Sequence, residues 1–181
     1  MNRTSIVIVL ALSLSSAGLG AQQTAAPRPA PAQPAAACPS TTTLDELIKA
    51  LDAAVSGPGT KDRTCFRDLF VPDARLAPIR TPKDGGPSAP FMLTVDGWIE
   101  AVAKRGSAPF YEYQVKVNSE VFGHLAHLWS TYEVRDTPDG RPEMRGINSI
   151  QAVNDGTRWR VVEIVWEVED PTRPIPEKYL P

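Results

Sequence analysis

Cysteine and histidine are scarce in this 181-residue chain, at two residues each. Cys38 and Cys65 have no third ligand at metal spacing, so no metal is expected. Basic charge is not in surplus either, because 19 Lys and Arg stand against 21 Asp and Glu. With no basic stripe, nucleic acid is not expected as a partner. Long apolar runs are missing too: a membrane span needs roughly 20 consecutive apolar residues, and the one apolar stretch is cut by Ser13, Ser15, Ser16 and two glycines. No segment spells out a catalytic signature, and no cofactor is expected.

What is present begins with a leader. Arg3 supplies a positive start, Ile6 to Leu14 an apolar run and Ser15 to Gly20 a series of small residues, the pattern of a secretory signal peptide over residues 1–21. Cleavage after Gly20 or after Ala21 both remain open. Residues 22–42, rich in Ala, Pro and Gln, read as a disordered tether, since they carry no periodic apolar face. Ala35 to Cys38 resembles the lipid-attachment box of bacterial lipoproteins, but that box abuts the apolar run and here a long polar stretch intervenes. Without residues 1–37 the chain loses Arg3 and Arg28 and no acid, so 17 bases face 21 acids. The expected location is periplasmic or secreted, with no membrane contact after cleavage. In such an oxidising compartment Cys38 and Cys65 are expected to bridge, stabilising the fold by roughly 3 kcal/mol in the loop-entropy picture; two separate small buried residues are the alternative.

The remaining residues show two kinds of periodicity. Thr43 and Glu46 have capping-box spacing, and Leu44, Leu47, Ile48, Leu51 and Val55 then recur at three and four residues. That predicts a first helix ended by Gly57-Pro58-Gly59. A second helix is expected over 60–70, closed by a turn at Val71-Pro72-Asp73. Short strands at 74–80 and 90–93 flank a Pro- and Gly-rich loop, and a third helix runs from Thr94 to Arg105-Gly106. From Phe110 the period drops to two, which predicts four strands: 111–121, 124–135, 144–153 and 158–168. In the first of these, Tyr111, Tyr113, Val115 and Val117 share one face and Glu112, Gln114 and Lys116 the other; in the last, Val162, Ile164, Trp166 and Val168 oppose Trp159, Val161 and Val165. Residues 169–181 read as an irregular tail. Helices in front and an antiparallel meander behind give an α+β domain over 43–168.

This order of elements resembles the nuclear transport factor 2-like superfamily, the cystatin-like α+β cone. FRDLFVPDARL is similar to a segment of its SnoaL-like members, and FGHLAHLWSTYEVR, RGINSIQ and RWRVVEIVWEVE to exported bacterial relatives. The resemblance implies a cone-shaped curved antiparallel sheet wrapped around three N-terminal helices, a cavity at the open end, and a homodimer through the sheet face. It does not settle activity, since the superfamily holds enzymes and pure binders alike. The Asp base with a Tyr and protonated-Asp oxyanion hole of ketosteroid isomerase has no residue-by-residue match here.

Candidate site residues follow from the meander. His127 is the side chain best suited to general acid–base work near neutral pH, with Tyr132 or Arg145 as the group that stabilises an enolate-like charge; a structural histidine bonded across the sheet is the ordinary alternative. Arg145 can hold a carboxylate or pair with Glu133 or Glu163. Asn148, Ser149 and Gln151 are candidate ligand hydrogen-bonders, Trp129 and Trp166 candidate walls of a pocket or interface, and Asp73 either a site acid or a turn-former. Two functions follow: an exported domain whose cavity binds a small apolar or amphipathic molecule, or whose sheet face binds protein, without catalysis; or a lyase or isomerase with His127 as base. The second requires His127 to face the cavity.

Overall fold

The structure, a computed structural model, describes residues 37–181; the leader and most of the expected tether lie outside the described residues. Helix α1 (Leu44–Val55) starts as its capping box dictates, with Thr43 Oγ1 accepting from the Glu46 amide at 3.2 Å and Glu46 Oε2 accepting from the Thr43 amide at 3.1 Å. Leu47, Ala50 and Leu51 form its buried face. Thr41, expected in the tether, is instead fixed: its amide-plane carbonyl accepts from Trp159 N at 2.7 Å and its hydroxyl donates to Trp159 O at 2.8 Å.

Helix α2 (Thr64–Asp68) is shorter than its apolar pattern suggests, because Phe70 already belongs to strand β1 (Phe70–Arg80). The expected turn at Val71-Pro72-Asp73 is a bulge within that strand, where pairing shifts between Phe70 and Arg75 and Asp73 takes φ +63°. Short strands β2 (Ala89–Pro90) and β3 (Leu93–Thr94) both pair with β1, and α3 (Val95–Ala103) follows with Thr94 Oγ1 capping the Gly97 amide at 3.0 Å. The long strands are β4 (Tyr111–Phe122), β5 (Leu125–Arg135), β6 (Met144–Asn154) and β7 (Trp159–Val168).

These make a mixed seven-stranded sheet in the order β2-β1-β7-β6-β5-β4, with β3 on β1. The β4 to β7 meander is antiparallel as the alternation implies, but β1 joins β7 in parallel, so the sheet is not antiparallel throughout. The inner face packs on the helices, where Phe66 stacks on Trp98 with ring centroids 4.4 Å apart.

Two more bulges reset the expected alternation. In β4, Gln114 pairs with Tyr132 and Lys116 with Thr131, leaving Val115 as the extra residue. Glu112 and Gln114 therefore turn inward beside Tyr132, and the expected apolar set Tyr111, Tyr113, Val115 does not line the core. In β7, Val162 is extra between Val161 and Glu163, so Trp159 and Val161 are buried on the same side as Ile164 instead of facing out. Each inserted residue shifts the two-residue period by one and exchanges the faces.

The tail beyond Val168 is ordered against the outer sheet face. Ile175 is buried, its amide donates to Glu169 Oε1 at 2.9 Å, Thr131 Oγ1 donates to Tyr179 O at 2.6 Å, and a 3-10 turn spans Glu177–Tyr179.

Cys38 and Cys65 are disulfide-bonded across a sequence separation of 27, tying the segment before α1 to α2. Closing a loop of this length stabilises by about 3 kcal/mol. The expected outcome of replacing both cysteines by serine is a loss of that order in urea unfolding, with the transition remaining cooperative; an unchanged midpoint would show that the bridge contributes nothing.

Candidate cone-cavity site

The inward residues of β4, β5, β6 and β7 meet α3 and the end of α1 around a cavity of about 200 Å³. Its walls are apolar, with Phe66, Leu76, Trp98, Ile164 and Trp166, and its polar side is made by Glu112, Tyr132, Asn148 and Arg105. Typical ligand pockets run from roughly 300 to 1,000 Å³, so this one admits only a small molecule.

The polar side is built on edge strand β4. Strand β4 has no strand beyond it, yet the amide of Glu112 donates to Ser56 Oγ at 2.9 Å and that of Gln114 to the Asp52 carboxylate at 3.2 Å, both from the C-terminal part of α1. The Gln114 side chain then links the inward groups: its Nε2 donates to Glu112 Oε1 at 3.2 Å, and its Oε1 accepts from Ser130 Oγ at 2.5 Å and Asn148 Nδ2 at 3.2 Å. Asn148 Nδ2 also lies 3.5 Å from Glu112 Oε1. Gly146 keeps the next position on β6 empty, because a β-carbon there would overlap the Tyr132 phenol and the Glu167 carbonyl.

Electrostatics distinguish these groups. Burial, and then the nearby Asp52 charge, pushes the Glu112 carboxyl up to about 7 against the partial relief of Asn148, Gln114 and Arg105. Burial likewise raises Asp52 to about 6, with hydrogen bonds from Gln114 pulling the other way. The Tyr132 phenol is pushed up by burial and then by Glu112, so it stays a hydrogen-bond donor. The cavity thus holds a carboxyl that changes charge near neutrality.

Of the residues singled out from the sequence, Tyr132, Asn148 and Trp166 line this cavity together. His127 does not: β5 alternation puts it on the outer face with Trp129, where its Nδ1 lies 2.6 Å from Gln151 Nε2. The expectation of a cavity base at His127 is therefore corrected, since pairing with Gln151 across the β5–β6 ladder fixes it outside. Ser149 and Gln151 share that outer face. Trp129 lies under the tail, with its ring 5.9 Å from that of Tyr179. Arg145 is also outside and pairs with Glu169 at 2.9 Å, not with Glu133 or Glu163. Asp73 is exposed in the β1 bulge and is not among the residues that line the cavity.

Glu112, Gln114, Asp52 and Arg105 were missed. Simple alternation assigned Glu112 and Gln114 to the wet face, and nothing in YEYQVKV marks the bulge. Arg105 reads from the sequence as a helix terminator.

No protein-family model matches the sequence, and no curated protein is similar to it. Solved structures are similar in fold. A nuclear transport factor 2-like protein of unknown function from Silicibacter pomeroyi aligns with 18% identity and TM-score 0.52 over 70% of this chain and 92% of its own. A protein of unknown function with a cystatin-like fold from Nostoc punctiforme gives 16% and 0.53 over 75% and 98%. An uncharacterised cystatin-like protein from Caulobacter vibrioides gives 20% and 0.51 over 71% and 89%. The chain has the nuclear transport factor 2-like, cystatin-like α+β fold.

The raised acidities make stability pH-dependent with a definite sign. A carboxyl whose folded value lies above its unfolded one favours the folded state most below about pH 4 and loses that contribution as pH rises through the folded value, here about 6 for Asp52 and about 7 for Glu112. Glu112→Gln removes one of the two. It is expected to raise unfolding free energy by about 2 kcal/mol at pH 8 relative to its effect at pH 5, given ~1.4 kcal/mol for each tenfold change in proton affinity; equal effects at both pH values in urea melts would contradict the buried, neutral Glu112.

Proposed function

We propose that this is an exported binding domain whose cone cavity takes a small, largely apolar molecule with one polar head. The observation that carries the reading is the juxtaposition of aromatic and aliphatic walls with a single polar side, Glu112, Asn148 and Tyr132. Such a division orients an amphipathic ligand: its body displaces water from Trp98 and Trp166 while its head exchanges hydrogen bonds. Export is supported by the leader pattern together with the Cys38–Cys65 bridge. Among the described residues no helix is long and apolar enough to cross a membrane.

A second reading is favoured by one observation, the Glu112 carboxyl with a value of about 7 in the cavity beside the Tyr132 phenol. A carboxyl poised there can accept a proton from a carbon acid while Tyr132 donates to the developing oxyanion. Proton-transfer chemistry, if this protein performs it, belongs to Glu112 in place of His127.

The binding reading predicts a defined small-molecule adduct in native mass spectra of protein purified from its own source. Met144, half-buried at the cavity, is the place to block it: Met144→Trp is expected to abolish the adduct without changing the thermal midpoint. An adduct that survives in the blocked variant would put the ligand elsewhere. The two readings separate on Glu112→Gln, which is expected to retain the adduct in both but to stop deuterium uptake at the ligand's acidic carbon only if the site moves protons.

A further inference from the structure

Arg105 is the cavity group whose chemistry is left incomplete. Its guanidinium lies on the Phe110 ring, with Cζ 3.9 Å from the centroid, which fixes the plane of the fork. Its Nη1 is buried without a hydrogen-bond partner and the side chain lines the cavity. Other arginines with a buried unpartnered nitrogen are satisfied elsewhere. Arg135 pairs with Glu133 and Arg160 with Asp155. Arg63 donates to the carbonyls of Val55, Pro58 and Lys61 around the end of α1, where a cation is favoured by the helix dipole. Among the described residues Arg105 has neither an ion pair nor a side-chain hydrogen bond. Glu112 is near enough to influence it but forms no ion pair with it, and that carboxyl is itself held largely neutral up to about pH 7.

A partly desolvated guanidinium without a counter-charge is costly, and its planar fork matches the two oxygens of a carboxylate. We propose that the polar head of the cavity ligand is a carboxylate, held by Arg105 with Tyr132 as a further donor, and that the ligand class is a small monocarboxylic acid with an aromatic or aliphatic body. This rests on the cavity-binding reading and specifies its ligand. A phosphate dianion fits worse, because it brings a second negative charge into the neighbourhood of Glu112. The neutral Glu112 carboxyl can donate to the bound anion. Once ionised it repels it, as does Asp52 behind it on α1, while Arg105 attracts from α3's end and Tyr132 on β5 stays neutral.

The test titrates the disulfide-bonded protein at pH 6 with phenylacetate and hexanoate, each against its amide, reading quenching of the indole fluorescence and calorimetric heat. The acids are expected to bind at least tenfold more tightly than the amides. Arg105→Gln is expected to remove that preference, and raising the pH to 8 to weaken acid binding more in wild type than in Glu112→Gln, where Asp52 alone still ionises. Equal affinity for acid and amide would overturn the carboxylate assignment and leave cavity binding standing. Failure of all four compounds to bind would count against the cavity reading itself, and this inference would go with it. The acid-to-amide comparison needs no variant, so a poorly folding Arg105→Gln does not rescue the proposal.

Discussion

An edge strand must find partners for the amides that point away from its sheet, and in β4 two of these are met by side chains from the last turn and the C-cap of α1. Ser56 satisfies Glu112 and Asp52 satisfies Gln114. Those two bonds hold the strand against the helix on the inner side of the bulge at Val115, and the bulge is what turns a glutamate and a glutamine toward the core. An unpaired buried amide costs about 1–3 kcal/mol. Losing Ser56 or Asp52 would therefore loosen the strand end that carries the site's central acid, not merely a surface contact.

The same arrangement explains why the polar cluster is tolerated. Glu112, Gln114, Ser130 and Asn148 satisfy one another, and a connected network of this kind costs far less than the same groups buried separately. What it does not neutralise is charge. With Asp52 and Glu112 both desolvated, the pair resists double ionisation, and the folded state holds protons that the unfolded chain would release. The buried acid pair is obtained at the expense of stability toward alkaline pH.

Most of the fold was legible because its signals are local and periodic. The Thr43–Glu46 box, the Gly-Pro-Gly stop after α1 and the change to a two-residue period at Phe110 each map to an observed boundary. The site was less legible, and for one reason. Bulges at Val115 and Val162 arise from strand pairing across the sheet, which leaves no mark in the composition of YEYQVKV or RWRVVEIV, and a single inserted residue reverses every inward and outward assignment on one side of it. Tyr132 and Asn148 lie on β5 and β6, where the alternation runs uninterrupted, and Trp166 lies beyond the extra residue of β7. His127, Ser149 and Gln151 were credible as chemistry but lie one residue out of phase with the cavity. The parallel join of β1 to β7 was equally invisible, since it depends on contacts between segments far apart in the chain.

The ordered tail bears on how copies of this protein can meet. Residues from Pro174 to Tyr179 lie along the outer sheet surface over Trp129 and Val165. Here each chain brings its own cover. Any partner approaching that surface would first have to peel off Ile175 and Tyr179, because the chain's own end already occupies the apolar area such a partner would need.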